Sequence, residues 1–492
     1  MHAGQVAAPL LSPEPILSAA AAFRGRMIDL DRSLVIEAGD LAGAYHALAK
    51  RLRRSGLLPG DRVVMGVGNG PLFITTLVAI LEAGGAPLLV HADTPPAELQ
   101  RTANRFGAKF IACDPQQHGK LRSASVRAVV LSRGDWACLG WAQMDERNPL
   151  LQGEYPSLPG VPLHPTSGTT GEPKIAARPG PCAVAEAQHY IESIGIEADD
   201  VILNLTPMNH AYAYGLCVIV SLLASPTLVS MRRFSPTLVH RAIAELGITV
   251  LPAVPVMLDM LLFGAGDRLY DPSRRIFTAG APLPARTARN FRQVCGSVVR
   301  PLYGSTETGV IAIAPGDHET DADCVGPPVN GVEVKTRASE GTNCREDFGR
   351  VYVRSSSMMA GYVARWGLDR SHLVNGWFTP GDLGQFDRLG ELHLNGRETD
   401  VINVFGAKVV PSEVEEVLQM LPEVAEAKVY AGQSSGSQFV KAAIVAASPI
   451  DGAKIRAHCK KHLVYYKQPE AITLLDALPR TPTGKIIRER LP

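Results

Sequence analysis

A short segment of small and hydroxyl-bearing residues, HPTSGTTGEPK at positions 164–174, has the composition of an anion-binding loop. Successive backbone N–H groups of such a loop form a concave anion site, and hydroxyls with a lysine add charge-assisted hydrogen bonds to phosphate oxygens. It differs from the common P-loop because Glu172 and Pro173 separate Gly171 from Lys174. By itself the segment fits either a polyphosphate site or a surface turn rich in small residues.

Chain length and charge limit the class of protein. At 492 residues the chain is long enough for about two to four domains with ample buried volume. Its 49 basic and 48 acidic residues nearly cancel, which gives no indication of nucleic-acid or anionic-membrane binding. Eight cysteines occur without a C-x-x-C spacing, which favours free thiols in a reducing cytoplasm over disulfides or a zinc site. We therefore expect a cytoplasmic enzyme with no nucleic-acid partner.

Two apolar stretches bear on targeting. Residues 1–23 lack a basic start and contain the polar interruption Pro13, Glu14, Pro15, so no secretory signal is predicted. Residues 211–231, AYAYGLCVIVSLLASPTLVSM, are uncharged over a length that could span a bilayer. Pro226 and the serines favour a different interpretation, a buried helix of about 15 residues followed by a short strand, TLVSM.

Helical patterns alternate with short runs of β-forming residues along much of the chain. Helix-like segments include LAGAYHALAKRLRRSG and PLFITTLVAILEAGG, and strand-like segments include DRVVMGVG, APLLVH and KFIACD. This alternation predicts parallel strands joined by crossover helices, an α/β architecture. Between residues 324 and 362, short strands and turns indicate a smaller β-rich subdomain.

Another compact unit begins past Gly396 and has the size of an independently folding domain. It opens with a predicted helix, PSEVEEVLQML, in which Ser412 and Glu415 have the spacing of a capping box. Strand-like EAKVYAG and FVKAAIVAA follow, then helix-like KIRAHCKKHL and a polar tail. We expect a hinge at residues 396–400.

Four further motifs accompany the opening segment, in a fixed order along the chain. They are LYGSTETG (302–309), GWFTPGDLG (376–384), GRETDVINVFGAKVVPSEVE (396–415) and PRTPTGKI (479–486). Together with the first segment they resemble the motifs of the adenylate-forming superfamily, which includes acyl- and aryl-CoA synthetases, peptide-synthetase adenylation domains and firefly luciferase. The resemblance covers essentially the whole chain, although the first 150 residues match only in general pattern.

The resemblance implies a fold and a two-step reaction. The fold would be a large N-terminal domain of three subdomains, residues 1–396, with two α/β sheets and a small β-rich part. A small mobile α+β domain, residues 397–492, would carry the catalytic lysine. In the reaction, a carboxylate attacks the α-phosphate of Mg-ATP to give an acyl-adenylate and pyrophosphate, and a thiol then displaces AMP.

The family pattern also implies the nucleotide site. The residues matching the β- and γ-phosphate loop are Thr166, Ser167, Gly168, Thr169, Thr170, Gly171 and Lys174. Thr306 matches the α-phosphate contact and Glu307 the Mg²⁺ ligand. Tyr303, followed by Gly304, resembles the aromatic residue that stacks on adenine. Those resembling the opposite wall are Ala279, Gly280 and Ala281, and those resembling the ribose contacts are Asp382 and Arg397.

Three positions bear on the two half-reactions. Lys485 in PTGKI matches the lysine that reaches the α-phosphate and the substrate carboxylate during adenylation. Gly406 matches the small residue beside the thiol tunnel. At the hinge, most relatives have aspartate or lysine two residues after the arginine, whereas this chain has Thr399, so the identity of the pivot is left open.

The acid and the thiol are less defined. His210 matches the gate at the carboxylate end of the acyl pocket, and the residues expected to line that pocket are His210, Ala211, Tyr212, Gly215, Gly280 and Val310. Ala211 stands where amino-acid-activating relatives often have aspartate, and an unpaired substrate ammonium would be costly there. We therefore expect an apolar acid, aryl or medium-chain fatty.

CoA is the expected acceptor, and a free acyl carrier protein is the alternative, since both offer a phosphopantetheine thiol. Two functions of other kinds share the fold: a non-catalytic nucleotide- or acyl-binding sensor, and a luciferase-type oxygenase. Retention of Glu307, Asp382, Arg397 and Lys485 argues against the sensor.

Overall fold

Two large sheets form the centre of the N-terminal part of the protein. The computed structural model describes residues 11–121, 126–133, 137–144, 155–166, 174–262, 271–316, 323–337, 348–404, 407–434, 437–463, 465–481 and 486–492. The helices are α1 (Glu14–Ala22), α2 (Ala38–Arg54), α3 (Pro71–Glu82), α4 (Pro96–Arg105), α5 (Pro115–His118), α6 (Gly180–Ile194), α7 (Ala211–Ala213), α8 (Val220–Ala224), α9 (Pro236–Leu246), α10 (Pro255–Leu262), α11 (Ala285–Cys295), α12 (Pro411–Gln419) and α13 (Gly452–His462).

The strands occupy most of the remaining described chain. Those up to the β-rich region are β1 (Arg26–Asp29), β2 (Leu34–Glu37), β3 (Arg62–Gly66), β4 (Ala86–Leu89), β5 (Phe110–Cys113), β6 (Val126–Arg133), β7 (Ala137–Met144), β8 (Leu163–Thr166), β9 (Lys174–Ala177), β10 (Val201–Asn204), β11 (Thr227–Ser230), β12 (Val250–Ala253), β13 (Arg275–Thr278), β14 (Val299–Ser305) and β15 (Gly309–Ile313). Those that follow are β16 (Cys324–Gly326), β17 (Val332–Arg337), β18 (Gly349–Ser355), β19 (Gly361–Ala364), β20 (Gly367–Asp369), β21 (Asp382–Phe386), β22 (Leu392–Arg397), β23 (Ile402–Val404), β24 (Ala407–Val409), β25 (Val424–Ser434), β26 (Ser437–Ala446) and β27 (Ala471–Leu475).

The first sheet has the order β15-β14-β13-β12-β10-β11-β1-β2, and the second has the order β20-β19-β9-β8-β4-β3-β5-β7-β6. Their central strands are parallel, and antiparallel strands close their edges. This confirms the predicted parallel core, with edge strands that alternation alone did not predict. A third, antiparallel sheet, β16-β22-β21-β18-β17, forms the β-rich region.

Helix α3 packs between the two large sheets. Its sequence, PLFITTLVAILE, lacks a polar face, and every residue from Pro71 to Leu81 is buried. The helix contacts β4 and β7 of the second sheet and β1 of the first. A helix that is apolar on every side is stable only where all of its sides are covered, in the interior of a protein. Each fully buried Leu, Ile, Val or Phe side chain contributes about 1.5–3 kcal/mol relative to exposure.

The uncharged stretch at 211–231 is divided among several elements. Helix α7 continues into a π-helical turn, Tyr214–Ile219, and then into α8, before Ser225 ends the helical run in a left-handed conformation and β11 begins. This confirms the buried helix followed by a strand. Across the described ranges, no helix combines the length and apolarity needed to cross a membrane.

The C-terminal part has its own core, built from α12, α13, the sheet β25-β26-β27 and the ribbon β23-β24. The predicted capping box of α12 is wrong. Pro411 begins the helix and Val410 is its N-cap, so Ser412 already lies in the first turn and donates to the Asn395 carbonyl at 2.6 Å. Glu415 instead accepts from the Val429 backbone N–H at 2.8 Å and thereby ties α12 to β25.

Gly326 shows how closely the first and third sheets approach. Its φ is +82°, and a Cβ there would lie 2.6 Å from the Ala314 nitrogen and closer still to the Ile313 carbonyl oxygen. We expect Gly326→Ala to lower the free energy of unfolding by about 3 kcal/mol, because backbone strain adds to a clash with backbone atoms. The matched control is Gly390→Ala, where φ is +80° and nothing lies within 4 Å of the added Cβ. Urea unfolding should show a loss of about 1 kcal/mol for the control, and equal losses would contradict this explanation.

Candidate active site

The second sheet brings together the two ends of the opening segment. Strands β8 and β9 are antiparallel, and Thr166 lies opposite Lys174 in their register. Thr166 is buried and Lys174 is exposed. The predicted phosphate loop therefore begins and ends at neighbouring points of one sheet edge. The phosphate-loop predictions at Ser167, Gly168, Thr169, Thr170 and Gly171 lie outside the described residues.

Tyr362, on β19, joins Lys174 to the predicted magnesium ligand. The Lys174 Nζ lies 4.9 Å from the centroid of the Tyr362 ring. The Tyr362 hydroxyl donates to Glu307 Oε1 at 2.8 Å. Burial and the nearby Glu307 carboxylate raise the pKa of Tyr362, so the phenol keeps its proton and acts as a donor. Sequence reasoning missed this residue, and the tyrosine after Gly361 gives no local signal of the contact.

A carboxylate held by two partners forms the predicted ribose corner. Asp382 Oδ2 accepts from the Tyr303 hydroxyl at 2.6 Å, and Oδ1 accepts from Arg397 Nε at 3.0 Å. Asp382 begins β21 and faces Arg397 at the end of β22. Burial raises the pKa of Asp382, and the Arg397 charge opposes that effect. The structure therefore brings together three residues that lie far apart in the sequence.

The predicted adenine wall lies at the same edge as Tyr303. Strands β13 and β14 are parallel neighbours, with Thr278 opposite Pro301, so their carboxyl ends meet at one edge. Residues 279–281 follow β13 directly, and Tyr303 and Gly304 lie near the end of β14. Gly280 has a φ of +82°, and an added Cβ would meet only one Val254 methyl carbon at 3.9 Å. The left-handed backbone, rather than lack of space, therefore favours glycine at position 280.

The predicted acyl pocket begins at His210, the N-cap of α7. The His210 ring lies 6.5 Å from the His91 ring, measured between centroids. His210 is exposed to solvent, yet the protein around its ring lowers its pKa to about 4, with His91 adding a smaller effect. At neutral pH this imidazole is therefore uncharged. Ala211 and Tyr212 follow it, both half-buried.

A buried carboxylate lies beside two of the predicted pocket positions. A Cβ on Gly215 would lie 2.7 Å from Glu186 Cδ, and a Cβ on Gly309, which precedes Val310, would lie 2.9 Å from the same carbon. Glu186, on α6, forms an ion pair with Arg178 at 2.7 Å, and both side chains are almost completely buried. Sequence reasoning missed both charges and assigned Gly215 to an apolar wall.

Residues 397–400 connect the third sheet with the C-terminal part. Glu398 pairs with Arg350 of β18, and Asp400 pairs through two contacts with Arg488 near the end of the chain. The backbone N–H of Glu398 also donates to the Gly381 carbonyl at 2.8 Å. Thr399 therefore lies between a residue held by the N-terminal part and one held by the C-terminal part. The predictions at Gly406 and Lys485 lie outside the described residues.

Two family models match most of the chain. A family model for AMP-binding enzymes matches residues 36–363, and one for the C-terminal domain of AMP-binding enzymes matches residues 413–485. The chain belongs to the AMP-binding enzyme family. The predicted membership in the adenylate-forming superfamily is thereby confirmed.

Individual relatives extend over most of this AMP-binding enzyme. It is 26% identical to 4-coumarate–CoA ligase 1 of Oryza sativa subsp. japonica, over 96% of this chain and 89% of the relative. It is 30% identical to 2-succinylbenzoate–CoA ligase of Bacillus licheniformis, over 66% of this chain and 68% of the relative. Its fold matches ATP-bound MatB from Rhodopseudomonas palustris with a TM-score of 0.82 and 23% identity, over 97% and 98% of the two chains. The predicted α/β fold, with a large N-terminal and a smaller C-terminal domain, is confirmed.

His164, on β8 beside the candidate active site, should make the free energy of unfolding depend on pH. The ring is buried, and its centroid lies 4.6 Å from that of Tyr214. Burial lowers the pKa of His164 to about 3, and the Arg178 charge acts in the same direction. Below pH 6.5 the unfolded chain therefore binds a proton at this residue that the folded chain does not bind. The stabilisation by the neutral ring is complete above that pH and decreases as the pH falls towards 3.

From pH 7 to pH 5 this residue should lower the free energy of unfolding by about 2 kcal/mol. We expect His164→Gln to remove that part of the pH dependence, whatever the variant costs at pH 7. Urea unfolding of both proteins at the two pH values measures the difference. Identical pH dependence in the variant and the wild type would contradict a buried neutral His164.

Proposed function

We propose that this AMP-binding enzyme is an acid–thiol ligase that activates an apolar carboxylic acid with Mg-ATP and transfers the acyl group to CoA. In the first step a carboxylate oxygen bonds to the α-phosphorus, and the bond from that phosphorus to pyrophosphate breaks. In the second step the thiolate attacks the acyl carbon, and AMP leaves. The observation that carries the proposal is the Tyr303–Asp382–Arg397 corner lying at the strand edge from which Thr306 and Glu307 follow.

Asp382 suits a ribose diol because one carboxylate offers acceptors to two vicinal hydroxyls. Its present partners, the Tyr303 hydroxyl and Arg397, hold both oxygens in place and keep the buried charge compensated. Tyr303 thereby links the adenine wall to the ribose site, because the ring that would stack on the base is held by the carboxylate that would bind the sugar. Groups fixed before the ligand arrives lose little freedom on binding.

Glu307 suits a magnesium ion bound between protein and phosphates. Magnesium is usually held by one or two carboxylates together with substrate phosphates and water. Among the described residues, Tyr362 bonds to Oε1 of Glu307 and no side chain bonds to Oε2, which could therefore serve as a ligand. When bound, the ion would neutralise charge on the phosphates. Lys174, at the end of the predicted loop, would add a second positive charge to the same region.

The neutral His210 fits an entrance for the substrate carboxylate. Because its pKa is held near 4, the ring can donate one hydrogen bond without adding a charge that competes with the lysine expected at the reacting groups. The acyl chain would continue past Ala211 and Tyr212 towards Val310. Aromatic and aliphatic walls favour an aryl or medium-chain fatty acid, and the names of the relatives include both aryl and fatty acids.

We further propose that residues 397–492 rotate about Thr399 between the two half-reactions. Support comes from the two anchors, Glu398 to Arg350 and Asp400 to Arg488, because the backbone between fixed points can absorb a rotation without breaking either pair. A pivot need only change its backbone angles, so threonine can serve where relatives have charged residues. Rotation would withdraw Lys485 and bring Gly406 beside the thiol.

The test of the proposed function is pyrophosphate release with Mg-ATP and a panel of benzoic, cinnamic and fatty acids, each with and without CoA. Sustained release that needs both one acid and CoA is the expected result. Release that stops after about one equivalent per protein, whatever the CoA concentration, would replace CoA with a carrier protein as acceptor. Lack of release with every acid would contradict the ligase and favour a sensor.

Lys485→Ala separates the half-reactions. We expect adenylate formation to fall by about a hundredfold or more, because the lysine would stabilise charge that develops only in the transition state. Thioester formation from supplied acyl-adenylate and CoA should persist. Single-turnover assays of each step with the identified acid measure the two rates. Equal losses in both steps would contradict a lysine that acts in adenylation alone.

A further inference from the structure

The core beneath the active site contains an ion pair that no motif predicted. Arg178 directly follows β9, and Glu186 lies on α6. The distance from Arg178 Nη2 to Glu186 Oε2 is 2.7 Å, and the two side chains are 0% and 1% exposed. A pair buried this deeply contributes little net stability, because desolvation of both charges offsets their attraction. The role of the pair must therefore be sought in the groups that Arg178 and Glu186 contact.

Arg178 reaches the turn that carries the predicted phosphate contacts, residues 305–309. Its Nη1 donates to the Thr306 carbonyl at 2.5 Å, and Nη2 donates to the Ser357 carbonyl at 3.2 Å. The guanidinium thus bridges two separate segments, the turn and residues 357–359. A planar fork can do this in one fixed orientation, and Glu186 sets that orientation by pairing with it.

Residues 357–359 hold the rest of the same turn. The Met359 backbone N–H donates to the Glu307 carbonyl at 2.7 Å, and the Ser357 hydroxyl donates to the Thr308 carbonyl at 2.7 Å. Three consecutive carbonyls, at Thr306, Glu307 and Thr308, are therefore each bound by Arg178 or by the segment that Arg178 contacts. The backbone of the turn is therefore fixed through its carbonyl groups, and the side chains of Thr306 and Glu307 are only half-buried.

Glu186 holds the far end of the turn. Burial raises the pKa of the Glu186 carboxyl, and the Arg178 charge and the Val310 backbone N–H, which contacts the carboxylate, oppose that effect. Gly309 has a φ of +74°, and a Cβ there or on Gly215 would collide with the Glu186 carboxylate. Two glycines thus leave room for this one side chain. The Glu186 carboxylate therefore requires glycine at position 215, independently of any contribution of that residue to the acyl pocket.

We propose that Arg178 and Glu186 are positioning residues that hold the 305–309 turn so that Thr306 and Glu307 meet the nucleotide phosphates and magnesium. The inference rests on the proposed function, since it takes the roles of Thr306 and Glu307 from it. The adenine and ribose contacts, Tyr303 and Asp382, are held by each other and do not depend on the pair. The pair therefore acts on phosphate binding and leaves nucleoside binding intact.

The test compares Mg-ATP with adenosine as ligands of the full chain, by calorimetric titration. Glu186→Gln keeps the shape of the side chain and removes its charge. Arg178→Lys keeps the charge and removes the fork, so one of its two carbonyl partners is lost. We expect each variant to raise the Kd for Mg-ATP by about tenfold and to change the Kd for adenosine by less than about twofold.

The matched control is Arg274→Lys. Arg274 is also buried, and it directly precedes β13. The bonds described for its guanidinium reach the backbone carbonyl of Ile248 and Asp271, neither of which lies in the 305–309 turn or in residues 357–359. The Arg274→Lys variant should be less thermally stable than the wild type, with unchanged Kd values for Mg-ATP and adenosine. The same measurements on variants that melt cooperatively separate positioning from a general loss of structure. If Arg178→Lys does not fold, Glu186→Gln decides the question.

Two results would overturn the positioning role. One is unchanged Mg-ATP binding in a folded variant, and the other is a parallel loss of Mg-ATP and adenosine binding. Failure of the wild-type protein to bind Mg-ATP would instead contradict the proposed function itself. With the acid identified, the expected kinetic counterpart is a rise in KM for Mg-ATP with little change in KM for the acid.

Discussion

The packing of α3 between the two large sheets is the constraint on which the site depends. The helix is apolar on every side and contacts strands of both sheets, so neither sheet can shift without exposing it. Helix α6 leaves β9 of the second sheet and packs against β15 of the first. Strand ends from the two sheets are thereby held at one place. Lys174 comes from one sheet and Tyr303 from the other, and both are predicted to contact the same nucleotide.

The polar side chains of the predicted nucleotide site are held by hydrogen bonds to one another. Asp382 is shared by Tyr303 and Arg397, and Glu307 is held by Tyr362. In surroundings of low dielectric constant, an unpaired charge is costly in free energy, whereas a paired charge is held in one geometry. The same physics explains the neutral His164, because burial disfavours the charged form of its ring. In the function proposed above, phosphate charge would meet dipoles and cations that are already fixed in place.

The two parts of the chain are joined by a different kind of contact. The packing around α3 is apolar, whereas residues 397–400 are held at either end by ion pairs whose arginines, Arg350 and Arg488, are partly exposed. Ion pairs of this kind are weak and depend on solvent and salt. A connection made of them can change its geometry at little cost, whereas the apolar packing around α3 cannot. This difference in contact type separates the rigid nucleotide site from the segment proposed to rotate.

The sequence by itself determined the elements and the family, because both are carried by local information. Alternating patterns predicted the parallel core and the β-rich region, and the motifs predicted nucleotide-binding roles for Tyr303, Thr306, Glu307, Asp382 and Arg397. Only the tertiary structure decided which side chains meet. The capping box at Ser412 failed because Pro411 begins the helix and a neighbouring strand takes up Glu415. Arg178, Glu186 and Tyr362 remained hidden because a charge or a phenol has no local signature of its partner, and long-range packing alone brings these groups to the 305–309 turn.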